Sequence, residues 1–121
     1  MKRYVVLIAY QPWDWASATP EVRQSHVDAH DAFQHYVQEH GRHLSSATLG
    51  DADTATTVHP GPAGARGVTD GPFAELVEQV GGYYDIELPD LDRAIEAARL
   101  LPQACTVELR PVVTIGGSGP S

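Results

Sequence analysis

Histidines are concentrated in one short stretch of this sequence. Five of the six fall between positions 26 and 43, and further along an aspartate, Asp70, stands before a glycine and a proline. Histidine has the ordinary side-chain pKa closest to neutral pH, and a carboxylate bonded to one ring nitrogen would leave the other nitrogen to move a proton. These residue types indicate general acid–base chemistry, with a histidine and Asp70 as the candidate pair.

The helical positions of the histidines separate them. At about 100° per residue, His26 falls inside an apolar stripe and His30 lies on its edge. His35 points the opposite way, among acidic side chains, and is expected to be solvated. We therefore predict that His26 and His30 face the sheet, where burial or a nearby carboxylate would adjust an imidazole pKa. The stripe consists of Val22, Ala29, Phe33, Val37 and His40.

Asp70 belongs to the run TDGPFAE at 69–75, which predicts a tight turn because glycine allows most backbone angles and proline few. Glu75 and Glu78, three residues apart, would share a helix face near Asp70 and could supply a second general acid or base. Purely structural roles are the alternatives for these residues. The glutamates would form a solvated polar face, His30 would be a hydrogen-bonded histidine at an interface, and Asp70 would cap the turn.

Other side chains are candidates for binding a substrate. Phe73 and one of the tryptophans after the first strand, Trp13 or Trp15, could line an apolar pocket, although packing at an edge or an interface explains a tryptophan at least as well. His26 is a further candidate for binding a substrate. Arg110, in the last predicted strand, could bind an anionic substrate or pair with an acid.

No metal or cofactor is expected. The spacing of His26 and His30 would suit half a metal site, but Val27 follows His26 where a zinc-protease helix has glutamate, and a third ligand would have to come from elsewhere. The glycines at 61, 64 and 67 lie among prolines, without the lysine and serine of a phosphate-binding loop, so nucleotide cofactors are not indicated.

Composition narrows the class of protein. The chain has 121 residues, 42% of them hydrophobic, and a formal net charge of −8. This size suits one domain, and the charge disfavours nucleic acid and anionic membranes as partners. The longest apolar run, residues 4–10, is too short to span a bilayer and no signal-peptide pattern is present, so a cytoplasmic protein is expected. Cys105 looks like a small buried residue rather than a nucleophile.

The elements that must position these residues follow from periodicity. The continuous apolar run 4–10 predicts a strand covered on both faces. Thr19 and Pro20 start a helix expected to run to His40 and end at Gly41. Further elements are predicted as a strand at 43–49, a hairpin of 54–59 and 65–69, a short helix after Pro72, a strand at 83–88, a helix opened by Pro89 and Asp90 and closed by Pro102, and a strand at 106–113.

This order predicts an α+β fold, a ferredoxin-like sandwich with a mostly antiparallel sheet and both helices on one face. The uncovered face then requires another surface, and a second copy of the chain is the expected one. The domain is expected to span residues 1–115, and the tail 116–121, which has no apolar anchor, to be disordered.

Several blocks of the sequence, in order, resemble one known family. They are TATTV at 54–58, DGPF at 70–73, GGYY at 81–84 and VELRPV at 107–112. With them the chain, from about residue 2 to residue 113, closely resembles the DGPF group of the YCII-related (YciI-like) family, a bacterial family that for the most part has no assigned reaction. The resemblance implies dimerisation through the sheet, with a barrel-like core between the subunits.

The resemblance also implies a site. His30 stands eleven residues before Gly41, as the histidine of the YciI-like pattern does before its helix-terminal glycine, and in that family a histidine and an aspartate are viewed as a possible acid–base pair. Here the DGPF motif offers Asp70. The family usually has a lysine before the second glutamate, where this chain has Val77.

Two classes of function follow from the resemblance. The first is a small-molecule enzyme with a cleft near the dimer interface that performs lyase- or isomerase-like proton transfer, since one relative removes chloride from a chlorinated hydroxyquinol. The second is a non-catalytic ligand-binding or accessory protein, because genes of this group often neighbour those of extracytoplasmic-function sigma factors, which indicates regulation or stress response.

Overall fold

The computed structural model describes residues 1–11 and 15–115. This part of the chain forms an α+β fold in which two helices pack on a four-stranded sheet. A separate, two-stranded sheet completes the fold. In chain order the elements are β1 (Lys2–Tyr10), α1 (Pro20–His40), β2 (Arg42–Thr48), β3 (Thr56–Val58), β4 (Val68–Asp70), β5 (Gln79–Leu88), α2 (Leu91–Ala98) and β6 (Thr106–Pro111), with short 3-10 turns at Trp15–Ser17 and Ala52–Thr54.

The main sheet has the strand order β2-β5-β1-β6, and every neighbouring pair is antiparallel. The first helix connects β1 to β2 and the second connects β5 to β6. The core elements therefore follow the β-α-β-β-α-β order predicted from the sequence. The smaller sheet is the predicted hairpin, in which β3 pairs with β4.

The helices cover one face of the main sheet. Along β1 the side chains of Tyr4, Val6 and Ile8 are buried, whereas the residues between them are only partly buried. The helices contribute Phe33 and Val37 from α1 and two alanines from α2 to the same core. The run 4–10 is thus fully covered on one face within a single chain, and its other face is open on the sheet.

Helix α1 has the predicted bounds because both ends are satisfied locally. The Thr19 hydroxyl accepts a hydrogen bond from the Val22 amide at 3.2 Å, with Pro20 in the first turn. The Gly41 amide donates to the Val37 carbonyl at 2.8 Å. These contacts pair backbone groups that a helix end otherwise leaves without partners.

The helix predicted after Pro72 is wrong. Residues 71–78 form bends without regular secondary structure, and the apolar side chains of Phe73, Leu76 and Val77 are exposed. A short helix is stabilised mainly by packing its apolar face, and these side chains pack against no buried core. The tight turn is correct, since Gly71 has a φ of 94° and its amide donates to the Ala55 carbonyl at 2.6 Å.

The expected tail at 116–121 lies outside the described residues, as does Trp13. Among the residues that the structure describes, no helix is both long and apolar enough to cross a membrane.

Gly41 allows α1 to approach β5 closely, because a Cβ at this position would collide with the carbonyl oxygen of Glu87. We predict that Gly41→Ala lowers the free energy of unfolding by about 1–3 kcal/mol, as overpacking does. The matched control is Gly67→Ala, where a Cβ would have open space around it. Urea titrations of both variants provide the measurement, and equal midpoints would contradict the prediction.

Candidate functional site

A cleft of about 460 Å³ lies between α1 and the helix-covered side of β2 and β5. Helix α1 contributes the side chains of His26, His30 and Gln34, which are spaced one turn apart. Strand β5 contributes Tyr84. A histidine, a phenol and an amide thus meet at one polar position in the cleft.

Tyr84 is the centre of this polar group. Its ring is 5% exposed and packs 4.5 Å from that of Phe33, measured between ring centroids. Its hydroxyl oxygen lies 2.7 Å from Nδ1 of His30 and accepts a hydrogen bond from the Gln34 amide at 3.0 Å. A buried hydroxyl without partners would cost free energy, so these contacts also stabilise the docking of α1.

The hydrogen bonds favour one tautomer of His30. Because Gln34 donates to the Tyr84 oxygen, the phenolic proton needs an acceptor, and Nδ1 of His30 is the one within reach among the described residues. Nδ1 then accepts, and Nε2 carries the ring hydrogen in the neutral form. No hydrogen bond to Nε2 occurs within the described residues, so this N–H is available to a ligand.

His30 is uncharged at neutral pH. Burial lowers its pKa below the ordinary value, nearby His26 lowers it further, and Asp31 opposes both effects. Burial raises the pKa of Tyr84, so the phenol keeps its proton. The site therefore holds a neutral imidazole and a neutral phenol at pH 7.

His26 lies next to His30. Their ring centroids are 4.7 Å apart, and Trp15 meets His26 edge-on at 5.2 Å. Burial lowers the pKa of His26 as well. Two imidazoles at this distance resist simultaneous protonation, because like charges repel.

Tyr10 lines the same cleft, and a β-bulge makes room for it. Ile8 pairs with Gly82 and Ala9 with Val80, which leaves Gly81 as the extra residue on β5. A Cβ on Gly81 would collide with the Tyr10 ring. Only glycine therefore permits this packing, which gives the GG pair of the sequence a structural role beside the cleft.

Asp70 is not brought to His30 in this chain. It lies exposed on β4 in the smaller sheet, lines none of the described cleft, and makes no hydrogen bond to His30. The carboxylate that lines the cleft beside His30 is Asp31. The pairing of His30 with Asp70 stays a prediction.

The other predicted binding residues divide between several places. Phe73 is 88% exposed on the irregular segment, and Glu75 is exposed there too. Glu78 accepts a hydrogen bond from the Thr106 hydroxyl at 2.6 Å, in a second groove. Arg110 pairs with Glu108 at 3.4 Å on the open side of the sheet. Of the predicted set, the structure brings His26 and His30 together.

The remaining ionisable candidates behave as surface or core groups. His35 is exposed on the far side of α1, with its Nε2 2.9 Å from Glu39. Burial, followed by Glu78, raises the pKa of the Cys105 thiol, which disfavours a thiolate nucleophile. Within the described residues, no group of three or more histidine, cysteine or acidic side chains could hold a metal ion.

Sequence reasoning missed Tyr84 and Gln34. A signal for both was available: Gln34 lies one turn beyond His30 on the same helix face, and Tyr84 shares the buried face of β5 with Ile86 and Leu88. The alternation of β5 would have placed the Tyr84 phenol under a helix. It could not give the distance between β5 and α1.

Comparisons with known proteins agree with this architecture. A family model for the YCII-related domain matches residues 2–115. An uncharacterised protein of Rhizobium meliloti (strain 1021) is 44% identical over 54 residues, which cover 41% of this chain and 44% of that protein. The chain therefore covers less than half the length of this relative.

We predict that His30 rests as the Nε2–H tautomer and titrates with a pKa below its ordinary value of about 6.5. The reasons are burial and the Tyr84 hydroxyl. Nitrogen-15 NMR of labelled histidines measures both properties. Tyr84→Phe should abolish the tautomer preference, whereas Tyr36→Phe should leave it intact, because the Tyr36 hydroxyl bonds Glu96 instead. Protonation at Nδ1 in the neutral wild-type protein would contradict the prediction.

Proposed function

The chain belongs to the YCII-related family, and within it we propose that this protein is a small-molecule enzyme that performs lyase- or isomerase-like proton transfer in the cleft beside His30. The observation that carries the proposal is the geometry of His30: a half-buried, neutral imidazole with Nδ1 held by Tyr84 and Nε2 unbonded at the wall of a cleft. Perturbed ionisable groups in clefts are favoured candidates for catalysis.

In the proposed mechanism His30 donates a hydrogen bond and does not transfer the proton itself. Its Nε2–H would bind a substrate oxygen and stabilise negative charge that develops there, as a neutral imidazole does in other enzymes. Asp31, which lines the same cleft, would accept the proton from the neighbouring carbon. This histidine–aspartate pair uses the adjacent helical carboxylate, and Asp70 contributes only if the β3–β4 hairpin approaches His30.

The reaction class can be tested before the substrate is known. Enolisation in heavy water exchanges a carbon-bound hydrogen for deuterium, which proton NMR detects in a panel of small ketones, phenols and acids. We predict exchange with the wild-type protein on at least one compound, a loss of about 100-fold or more in Asp31→Asn, and a comparable loss in His30→Ala.

The matched controls are Asp28→Asn and His35→Ala on the same helix. Asp28 bonds to Gln24, His35 is exposed, and neither lines the cleft. Both should exchange at the wild-type rate. Equal losses in the control variants, or no exchange above the buffer rate with any compound, would contradict the enzymatic proposal.

We also propose that the protein is a homodimer formed through the open side of the main sheet. Leu7 lies at the centre of this side, opposite Tyr83 on β5 and Glu108 on β6. Ion pairs surround it, with Arg3 to Asp85 at 2.6 Å the shortest. Alternating charges of both signs suit a two-fold interface, because there the same surface of the two subunits is in contact and positive groups can lie opposite negative ones.

Light scattering should therefore give twice the 13.0 kDa of one chain at micromolar concentration. Leu7→Glu should produce monomers, because it places an unpaired charge in the contact. Leu91→Glu, at an exposed position in the first turn of α2, should remain dimeric. A monomeric wild-type protein would contradict this part of the proposal.

The second candidate function is a non-catalytic ligand-binding or accessory protein linked to sigma-factor regulation or stress response. One observation favours it: Phe73, Leu76 and Val77 expose large apolar side chains on one irregular segment. Such a segment suits contact with another protein. In this case the cleft would bind a ligand without hydrogen exchange, which the heavy-water experiment distinguishes.

A further inference from the structure

The cleft beside His30 has a negative side chain and no positive one among the described residues that line it. No lysine or arginine is among the described residues that line it, whereas Asp31 is. The nearest arginine on α1, Arg23, donates to the backbone carbonyls of Trp15 and Ala16 at 3.1 and 2.6 Å. The cleft therefore offers an anionic ligand no permanent positive charge from these residues.

The histidines do not replace the missing cation at neutral pH. Burial lowers the pKa of both His26 and His30, and each would resist protonation next to the other. The formal net charge of the whole chain, −8, adds a long-range repulsion of anions. A carboxylate or phosphate would thus lose its hydration in the cleft without an ion pair in return.

The hydrogen-bonding groups specify what the ligand must carry. His30 presents an N–H at Nε2, because the Tyr84 hydroxyl occupies Nδ1. Ser46 and Thr48 on β2 add hydroxyl groups to the lining. A ligand oxygen that accepts a hydrogen bond matches this N–H.

The size limits the ligand as well. A volume of about 460 Å³ lies within the range of ordinary small-molecule pockets. Apolar wall residues such as Ile8 and Val27 favour a ring or a short hydrocarbon unit.

We propose that the cleft binds a small uncharged organic molecule through a carbonyl or hydroxyl oxygen that accepts from Nε2 of His30, and that it discriminates against carboxylates and phosphates. This inference rests on the proposed function, because it assigns a substrate class to the same site. Arg110 lies on the other side of the sheet and therefore does not neutralise the charge of a ligand in this cleft.

Two probes with the same ring and different charge test the inference at pH 7.5: benzamide, which is neutral, and benzoate, which is an anion. Titration into the labelled full-length protein, followed by NMR shifts of His30 and its neighbours, gives a dissociation constant for each probe. We expect benzamide to bind at the cleft and benzoate to bind at least about tenfold more weakly.

Two matched variants test whether Asp31 causes the weak binding of benzoate. Asp31→Asn should strengthen benzoate binding about fivefold, which is the effect of removing one nearby like charge in a hydrated site. Asp28→Asn removes the same charge from an exposed position bonded to Gln24 and should leave benzoate binding unchanged. Equal effects of the two variants would show that overall charge, and not the cleft, controls binding, and would overturn the inference.

The remaining outcomes separate this inference from the proposed function. Benzoate binding at His30 as tightly as benzamide would overturn the substrate class and leave the cleft as the site of proton transfer. No perturbation of the cleft by either probe would also overturn the inference, whereas the proposed function is tested separately by hydrogen exchange in heavy water.

Discussion

The burial of the Tyr84 hydroxyl is the constraint on which the site depends. A phenol beneath a helix must have hydrogen-bond partners, because an unpaired buried hydroxyl costs about 1–3 kcal/mol. Helix α1 supplies both partners from residues one turn apart, His30 and Gln34. The same contacts that dock the helix on the sheet therefore orient the imidazole, so that structure and candidate chemistry share one set of hydrogen bonds.

This arrangement changes the role that His30 can perform. A carboxylate at Nδ1 would favour the imidazolium form and raise the pKa, as in a histidine–aspartate pair. A phenol that donates to Nδ1 does the opposite, because it leaves the imidazole neutral and its hydrogen on Nε2. The site is thus better suited to stabilising negative charge on a bound oxygen than to holding a positive charge of its own.

The distribution of apolar residues explains why the cleft and the proposed dimer contact lie on opposite sides of one sheet. The side of β1 that carries Tyr4, Val6 and Ile8 is buried under the helices, and the cleft forms where α1 covers β5 and β2 incompletely. The other side has apolar and paired charged residues that the helices do not reach. A second copy could cover that side without closing the cleft of its own chain.

Local sequence signals were sufficient wherever a backbone requirement was local. Thr19, Pro20 and Gly41 bound α1 because capping acts within a few residues, and the Gly71 turn follows from the freedom of glycine. Helical periodicity also brought His26 and His30 to the sheet side of α1. The α+β class with a mostly antiparallel sheet followed from the order of patterned segments.

Tertiary structure alone determined the partners of these residues. The apolar spacing after Pro72 predicted a helix, but Phe73 and Leu76 are exposed and the described part of the chain offers them no buried surface, so the pattern had nothing to stabilise it. The DGPF motif marked Asp70, yet the turn directs β4 into a separate sheet, away from His30. Tyr84 came to His30 from 54 positions along the chain. Periodicity identifies which face a side chain occupies, whereas the partner on the opposing face depends on how two distant elements pack.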